Sequence, residues 1–457
     1  MAALTLLSAC AKSDKSPKPE NNSQPTTTSK TTADSLPPKA PGKDPISWVH
    51  DDYPAALAKA KAENKPLVVD MWAPWCHTCL SMKSYVLASP TLAEQADRFV
   101  WVALDTDKEV NAAVQNKLPV DVWPTFYVVS PGDQSIQARH LGAASLDQFR
   151  EFLAQGEGGH LDAIGKSGEL DPKLAAMRTG DRHVVYGRYK AATAAYGKAL
   201  ALGGSDWKRR PEVLVANISA MYRGDMFAEC AKYAIANLGD SAAGKTASAA
   251  DFAYYAHLCA TKVGESKAIH AKLTAAGSPV LQTLSAADHN LSLDDRSDAM
   301  RIMREVEEAA GNAEEARQWA EKQRALLDDA ASKAPDEFTR MTYNWPRSEV
   351  YVYLGETEAL IPELEKSVEA LPDQYDPPYR LAWLQLNVGE YDKALAAADA
   401  ALAKVYGPRK ANVLGLLADI HRARGDKKAE RKAREQVVDT YKSLPAGQER
   451  PASLARA

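Results

Sequence analysis

Between Gly187 and Gly425 a glycine-centred turn recurs seven times, and each opens a stretch carrying alanine on a helical pattern. The turns are Gly187-Arg-Tyr-Lys-Ala, Gly224-Asp-Met-Phe-Ala, Gly264-Glu-Ser-Lys-Ala, Gly311-Asn-Ala-Glu-Glu-Ala, Gly355-Glu-Thr-Glu-Ala, Gly389-Glu-Tyr-Asp-Lys-Ala and Gly425-Asp-Lys-Lys-Ala. Successive glycines lie 37, 40, 47, 44, 34 and 36 residues apart. A repeat of that length holds two helices and their connections. Glycine permits the sharp turn, and small residues let the two helices approach closely. One such hairpin cannot bury its apolar face alone, so neighbours must stack into a solenoid. Residues 160–445 are therefore expected to form an all-α array with a concave face suited to peptides or partner proteins. No catalytic signature stands out in it. His183, His257, His270, His289 and His421 are scattered and read as surface or packing histidines.

The unit Pro378 to Leu402 resembles the tetratricopeptide family through Leu381, Ala382, Gly389, Tyr391, Ala394 and Ala401. Tyr196, between Ala192 and Ala199, fits the same pattern in the first unit. Gln385 and Ala398 depart from it, standing where the family has aromatics. The central spacings exceed the family period of about 34 residues, so unit boundaries between 230 and 350 are loosely set. Cys230 follows one turn and Cys259 precedes the next, which places their helices side by side. They are expected to be either a structural disulfide or two buried thiols acting as small apolar residues.

Upstream, residues 46–156 have a different texture. Apolar, β-branched runs at Pro66–Trp72, Phe99–Asp105, Thr125–Val129 and Ile136–Leu141 read as strands. Tyr53–Asn64, the stretch after Cys79 through Leu87, one begun at Ser89-Pro90, Asp107–Lys117 and Ser145–Gln155 read as helices. The expected order is αβαβαββα, an α/β layer structure with a mixed sheet. Between the first strand and its helix lies Ala73-Pro-Trp-Cys-His-Thr-Cys79. Disulfide exchange needs a thiolate attacker and a second sulfur to resolve the mixed disulfide, and two intervening residues at a helix start let both sulfurs meet. Cys76, at the helix N-terminus, is the expected nucleophile, because unpaired N–H groups favour its anion. Cys79, one turn in, is the expected resolving thiol. A zinc site would need two further ligands, and no second CxxC is present; Leu80 after Cys79 excludes the haem-attachment signature. Neither a metal nor another cofactor is expected.

Val69-Asp-Met-Trp-Ala-Pro-Trp-Cys-His-Thr-Cys79, together with Trp123-Pro124-Thr125, resembles the thioredoxin superfamily over about 110 residues. Within it the likeness is to the C-terminal domain of DsbD-type interchange proteins and to thioredoxin-like lipoproteins. The resemblance implies a thioredoxin fold with a cis-Pro124 loop. It also implies that Asp70 is a buried acid taking the proton from Cys79, and that Trp75, His77, Thr78, Trp123 and Thr125 line the substrate site. His77 and Trp123 are unusual at their positions. A cationic His77 beside Cys76 would favour the thiolate.

Residues 2–9 form an apolar run ending in Leu7-Ser-Ala-Cys10, which resembles a bacterial lipobox, although a basic leader is lacking. Cys10 would then carry lipid. Residues 11–45 hold seven prolines and no aromatic residue and cannot bury enough surface to order themselves; they read as a tether of about 30–35 Å mean reach. Residues 446–457 read as a polar tail. With 56 basic and 60 acidic residues the net charge is -4, which gives no basic excess for nucleic acid.

The sequence thus predicts a multidomain, lipid-anchored protein facing the periplasm of a bacterial envelope. It would act as a thiol–disulfide oxidoreductase on protein thiols or disulfides, fed by a membrane electron donor, with the array recruiting partners. A second reading makes the array the working part, an adaptor for envelope assembly or cytochrome maturation, and the redox domain regulatory.

Overall fold

Leu67–Trp72 is apolar but for Asp70, and a strand of that kind must be covered on both faces. In the computed structural model it is the central strand of a five-stranded mixed sheet, with all six residues buried. The strands are β1 (Trp48–His50), β2 (Leu67–Trp72), β3 (Val100–Asp105), β4 (Thr125–Val129) and β5 (Ile136–Leu141), in the order β1-β3-β2-β4-β5. β3 runs parallel to β1 and β2, whereas β4 is antiparallel to both β2 and β5. The structure describes residues 45–120, 122–166, 171–243, 246–285 and 291–457. The lipobox with Cys10, nearly all of the tether, and His289 lie outside them.

Three local expectations change. β1 is an additional edge strand, three residues long and only part-buried. The stretch Asp107–Lys117 is not one helix but two short turns, Glu109–Asn111 and Ala112–Gln115. Here Asn111 spends its side chain on Asp51 and the Asp105 carbonyl. The closing helix begins at Leu146 under a Ser145–Gln148 capping box but runs on to Ala163. Gly156 and Gly159 do not break it. A Cβ at Gly156 would overlap the Val128 side chain, and one at Gly159 would crowd Gln137. These glycines let the helix lie close on β4 and β5.

Beyond this helix the chain forms seven antiparallel helical hairpins among the described residues. They are Pro172–Val185 with Tyr189–Gly203, Arg210–Arg223 with Phe227–Ala243, and Ser248–Thr261 with Ser266–Ser285. Leu293–Ala310 with Ala313–Ser332, Asn344–Leu354 with Thr357–Ala370, Asp376–Asn387 with Tyr391–Leu402, and Arg409–Arg424 with Lys427–Ser443 complete the set. All seven glycine turns fall between the paired helices. Gly187, Gly311, Gly355, Gly389 and Gly425 have positive φ, the left-handed region glycine enters without steric cost. At the second turn that conformation passes to Asp225, with φ 56°. In the first hairpin Tyr196 is fully buried and its ring fills the space a Cβ on Gly180 would need. The long central spacings arise from longer second helices of 17, 20 and 20 residues and from an extra helix, Glu337–Met341. Cys230 and Cys259 lie on adjacent hairpins with their sulfurs at bonding distance and Cα atoms 5.8 Å apart.

The array does not trail away from the sheet domain. Its first helix packs on β5, its fourth hairpin reaches His77, and its last helices return to the end of β3. Within the polar stretch 446–457, Gln448 is fully buried, and Pro451–Arg456 is helical.

Candidate active site at Cys76 and Cys79

β2 delivers the chain to Ala73, and a tight turn returns the Cys76 N–H to the Ala73 carbonyl at 3.1 Å. Cys76 therefore stands as the cap of helix His77–Met82 in an extended conformation. Its sulfur accepts the Cys79 N–H at 3.0 Å. The two sulfurs are at bonding distance, with Cα atoms 5.2 Å apart. Both cysteines are buried, Cys76 at 4% and Cys79 at 2% exposure. The Trp123–Pro124 peptide is cis. Its loop is tied down by Trp123 Nε1 donating to Thr106 Oγ1 at 2.8 Å and by the Gly142 N–H donating to the Pro124 carbonyl at 2.9 Å. The Trp75 and Trp123 rings pack at 5.4 Å between centroids, and both border the cysteine pair.

Beneath the cysteines Asp70 is 1% exposed, with Oδ1 lacking any hydrogen-bond partner. Burial raises its pKa to about 6, against the pull of the Lys83 ammonium. Lys83 lies four residues after Cys79, with its Nζ over the Trp72 ring. Burial lowers its pKa to about 8, opposed by Asp70, Asp105 and Asp51. Asp105 closes the group. Burial and Asp107 raise it to about 7, while the Tyr406 hydroxyl, donating to its Oδ2, holds it down. Two buried acids thus share one half-buried lysine, an arrangement that keeps protons available near neutral pH.

His77 points away from this group. Its Nδ1 lies 2.9 and 3.0 Å from the two carboxylate oxygens of Asp294, in the fourth hairpin, and its Nε2 is 4.0 Å from Asp298 Oδ1. Burial alone would lower its pKa, but Asp294 and Asp298 carry it up to about 9. His77, Asp294 and Asp298 are the one group among the described residues with three metal-ligating atoms close together. Each carboxylate already has a cationic partner, Asp294 in His77 and Asp298 in Arg301.

Trp75 and Trp123 border the cysteine pair, and His77 and Thr78 stand between the two cysteines, while Cys230 and Cys259 lie away from it in the array. Thr125, next to the cis-proline, is fully buried, and its hydroxyl donates to the Val122 carbonyl at 2.6 Å. Thr78 is half-buried beside His77. Lys83 was discoverable from its i+4 position after Cys79. Asp294, Tyr406 and Arg409 carried no sequence signal linking them to the site. Arg409 nevertheless lies over the Trp75 ring, 4.7 Å from its centroid, while Trp75 Nε1 donates to Asp107 Oδ2 at 2.7 Å.

Residues 48–131 match a family model described as thioredoxin-like. A thioredoxin H-type of Chlamydomonas reinhardtii is 34% identical over 104 residues, covering 22% of this chain and 85% of that protein. The thiol:disulfide interchange protein DsbD of Pseudoalteromonas atlantica is 31% identical over 106 residues, 23% of this chain and only 17% of that protein. Among solved structures, a thermophilic TPR protein of Thermus thermophilus shares 19% identity over 55% of this chain and 98% of its own, at a TM-score of 0.28. A sheet in the order β1-β3-β2-β4-β5, a CxxC capping the helix after β2 and a relative matched over most of its length agree: through its N-terminal domain the chain belongs to the thioredoxin-like family.

Proposed function

We propose that the protein is a thiol–disulfide oxidoreductase acting on protein disulfides at the periplasmic side of a bacterial envelope, tethered through lipid on Cys10. The observation that carries the chemistry is the Cys76–Cys79 pair on its helix cap above the buried Asp70–Lys83 pair. In the reducing direction the Cys76 thiolate attacks one sulfur of a substrate disulfide. The substrate S–S bond breaks, a Cys76–substrate disulfide forms, and the departing thiolate takes up a proton. Asp70 then accepts the Cys79 proton. The Cys79 thiolate attacks Cys76 Sγ, releasing the second substrate thiol and closing the Cys76–Cys79 bond. The substrate gains two electrons, and a membrane donor must return them to the enzyme. The structure corresponds to the oxidised end of this cycle.

The test is a trap. Cys79→Ala should accumulate mixed disulfides through Cys76 with envelope proteins, resolved on non-reducing gels and identified by mass. The deep burial of Cys76 favours the second reading, an adaptor with a regulatory redox domain. That reading prevails if the trap catches nothing and Cys76→Ser retains full function in vivo.

A further inference from the structure

Every segment that the oxidoreductase reading needs open to a substrate is in contact with the helical array. Trp75, beside Cys76, packs among Tyr375, Tyr379 and their neighbours in the last hairpins, beneath Arg409. On the cysteine helix, His77 is held by Asp294, Leu80 packs with Phe338, Met341 and Leu371, and the Tyr85 hydroxyl meets that of Tyr343 at 3.1 Å. Val122, before the cis-proline loop, packs on the core shared by the second, third and fourth hairpins. At the end of β3, Tyr406 donates to Asp105, and Gln448 Nε2 donates to the Thr106 and Lys108 carbonyls at 2.7 and 3.1 Å.

Two glycines show that this contact is built rather than incidental. Gly407 (φ 58°) and Gly447 (φ 98°) lie on separate loops of the array, and each meets redox-domain backbone. A Cβ at Gly407 would overlap the Asp107 carbonyl oxygen, and one at Gly447 the Ala112 carbonyl oxygen. A loop that merely turned would need the φ alone; these loops need both the φ and the missing side chain. Backbone-to-backbone approach at two points, with buried polar partners between them, has the character of a specific interface.

We infer that the inner face of the array is a docking surface for the chain's own catalytic face, and that it works as a removable cover over Cys76. Thiol exchange requires the last hairpins to lift from β3, and a substrate protein competes with Trp75, Leu80 and the cis-proline loop for the same array surface. This deepens the oxidoreductase reading and rests on it for its purpose, but the cover itself can be measured without catalysis.

The experiment uses the full chain, reduced and desalted, and follows maleimide addition at the Cys76 peptide by mass spectrometry. Gly407→Ala with Gly447→Ala drives the last hairpins off the redox domain without touching a site residue. Labelling of Cys76 should accelerate at least tenfold over the wild type, and insulin-disulfide reduction should rise with it. Tyr406→Phe with Gln448→Ala removes the hydrogen bonds that tie these loops to the end of β3 and should shift labelling the same way by a smaller factor. That pair decides the matter if circular dichroism shows the glycine variant unfolded. Equal labelling rates in the wild type and the variants, or wild-type labelling as fast as a free thiol of matched pKa, would overturn the cover. Faster labelling with no insulin reduction in any form would keep the cover and remove the oxidoreductase reading.

Discussion

Replacing Asp70 by Asn tests the buried acid from two sides at once. In the fold Asp70 has a pKa raised from 3.8 to about 6, chiefly by burial. A carboxyl that holds its proton more tightly in the folded state makes folding less favourable as pH rises between those two values, because the folded chain then binds more protons than the unfolded one. The penalty is complete above pH 6 and absent below about pH 4. A shift of about 2 units corresponds to roughly 3 kcal/mol, and the Asp70–Lys83 coupling makes that an upper figure. Asp70→Asn should therefore raise stability by about 1–3 kcal/mol at pH 8 and change it little at pH 4. Chemical denaturation at both pH values, followed through the tryptophans of the sheet domain, reads this directly. The same substitution removes the base for Cys79. Resolution of a Cys76 mixed disulfide should slow by about 10²–10⁴-fold, the usual contribution of a positioned base, while the first attack by Cys76 slows far less. Stopped-flow measurement of the two steps separates them. If Asp70→Asn destabilises the protein at pH 8, or leaves the resolving step at its wild-type rate, the assignment of Asp70 as a buried proton acceptor is wrong.

Three further outcomes follow from the geometry. The His77 ring should titrate near pH 9 by NMR in the wild type and well below that in Asp294→Asn. Because its folded pKa is raised above 6.5, the stabilisation is full below pH 6.5 and is lost as pH rises through 9, so the wild type should lose stability across that window and Asp294→Asn should not. The Cys230–Cys259 pair closes a sequence separation of 29 residues; replacing both by Ser should cost about 3–4 kcal/mol by the chain-entropy account, read as an earlier melt of the array, with non-reducing peptide mapping to verify the bond. Gly180→Ala should cost about 1–3 kcal/mol, because the new methyl meets the buried Tyr196 ring; a melting temperature unchanged from the wild type would contradict that packing.

What could be read from the sequence is what local chain geometry fixes. Cys76 and Cys79 are three residues apart, so their meeting follows from one helical turn. The seven glycine turns were legible because each closes a hairpin between neighbours in sequence. Where several chemistries can explain one residue, local reading went astray. The closing helix was expected to end at Gln155, yet it continues through Gly156 and Gly159, the places where it lies against Val128 and Gln137. β1 escaped because a three-residue edge strand with one partner has no alternation to reveal it. The larger omission has a different cause. His77 and Asp294 are 217 residues apart, and Asp105 and Tyr406 are 301 apart. A repeat period predicts the unit, but the path of a solenoid is the sum of small rotations between units, and no single unit encodes that sum. Whether the array leads away from the redox site or closes on it is decided by that accumulated curvature. The residues that say so locally are Gly407 and Gly447, and their meaning appears only once Asp107 and Ala112 are seen against them.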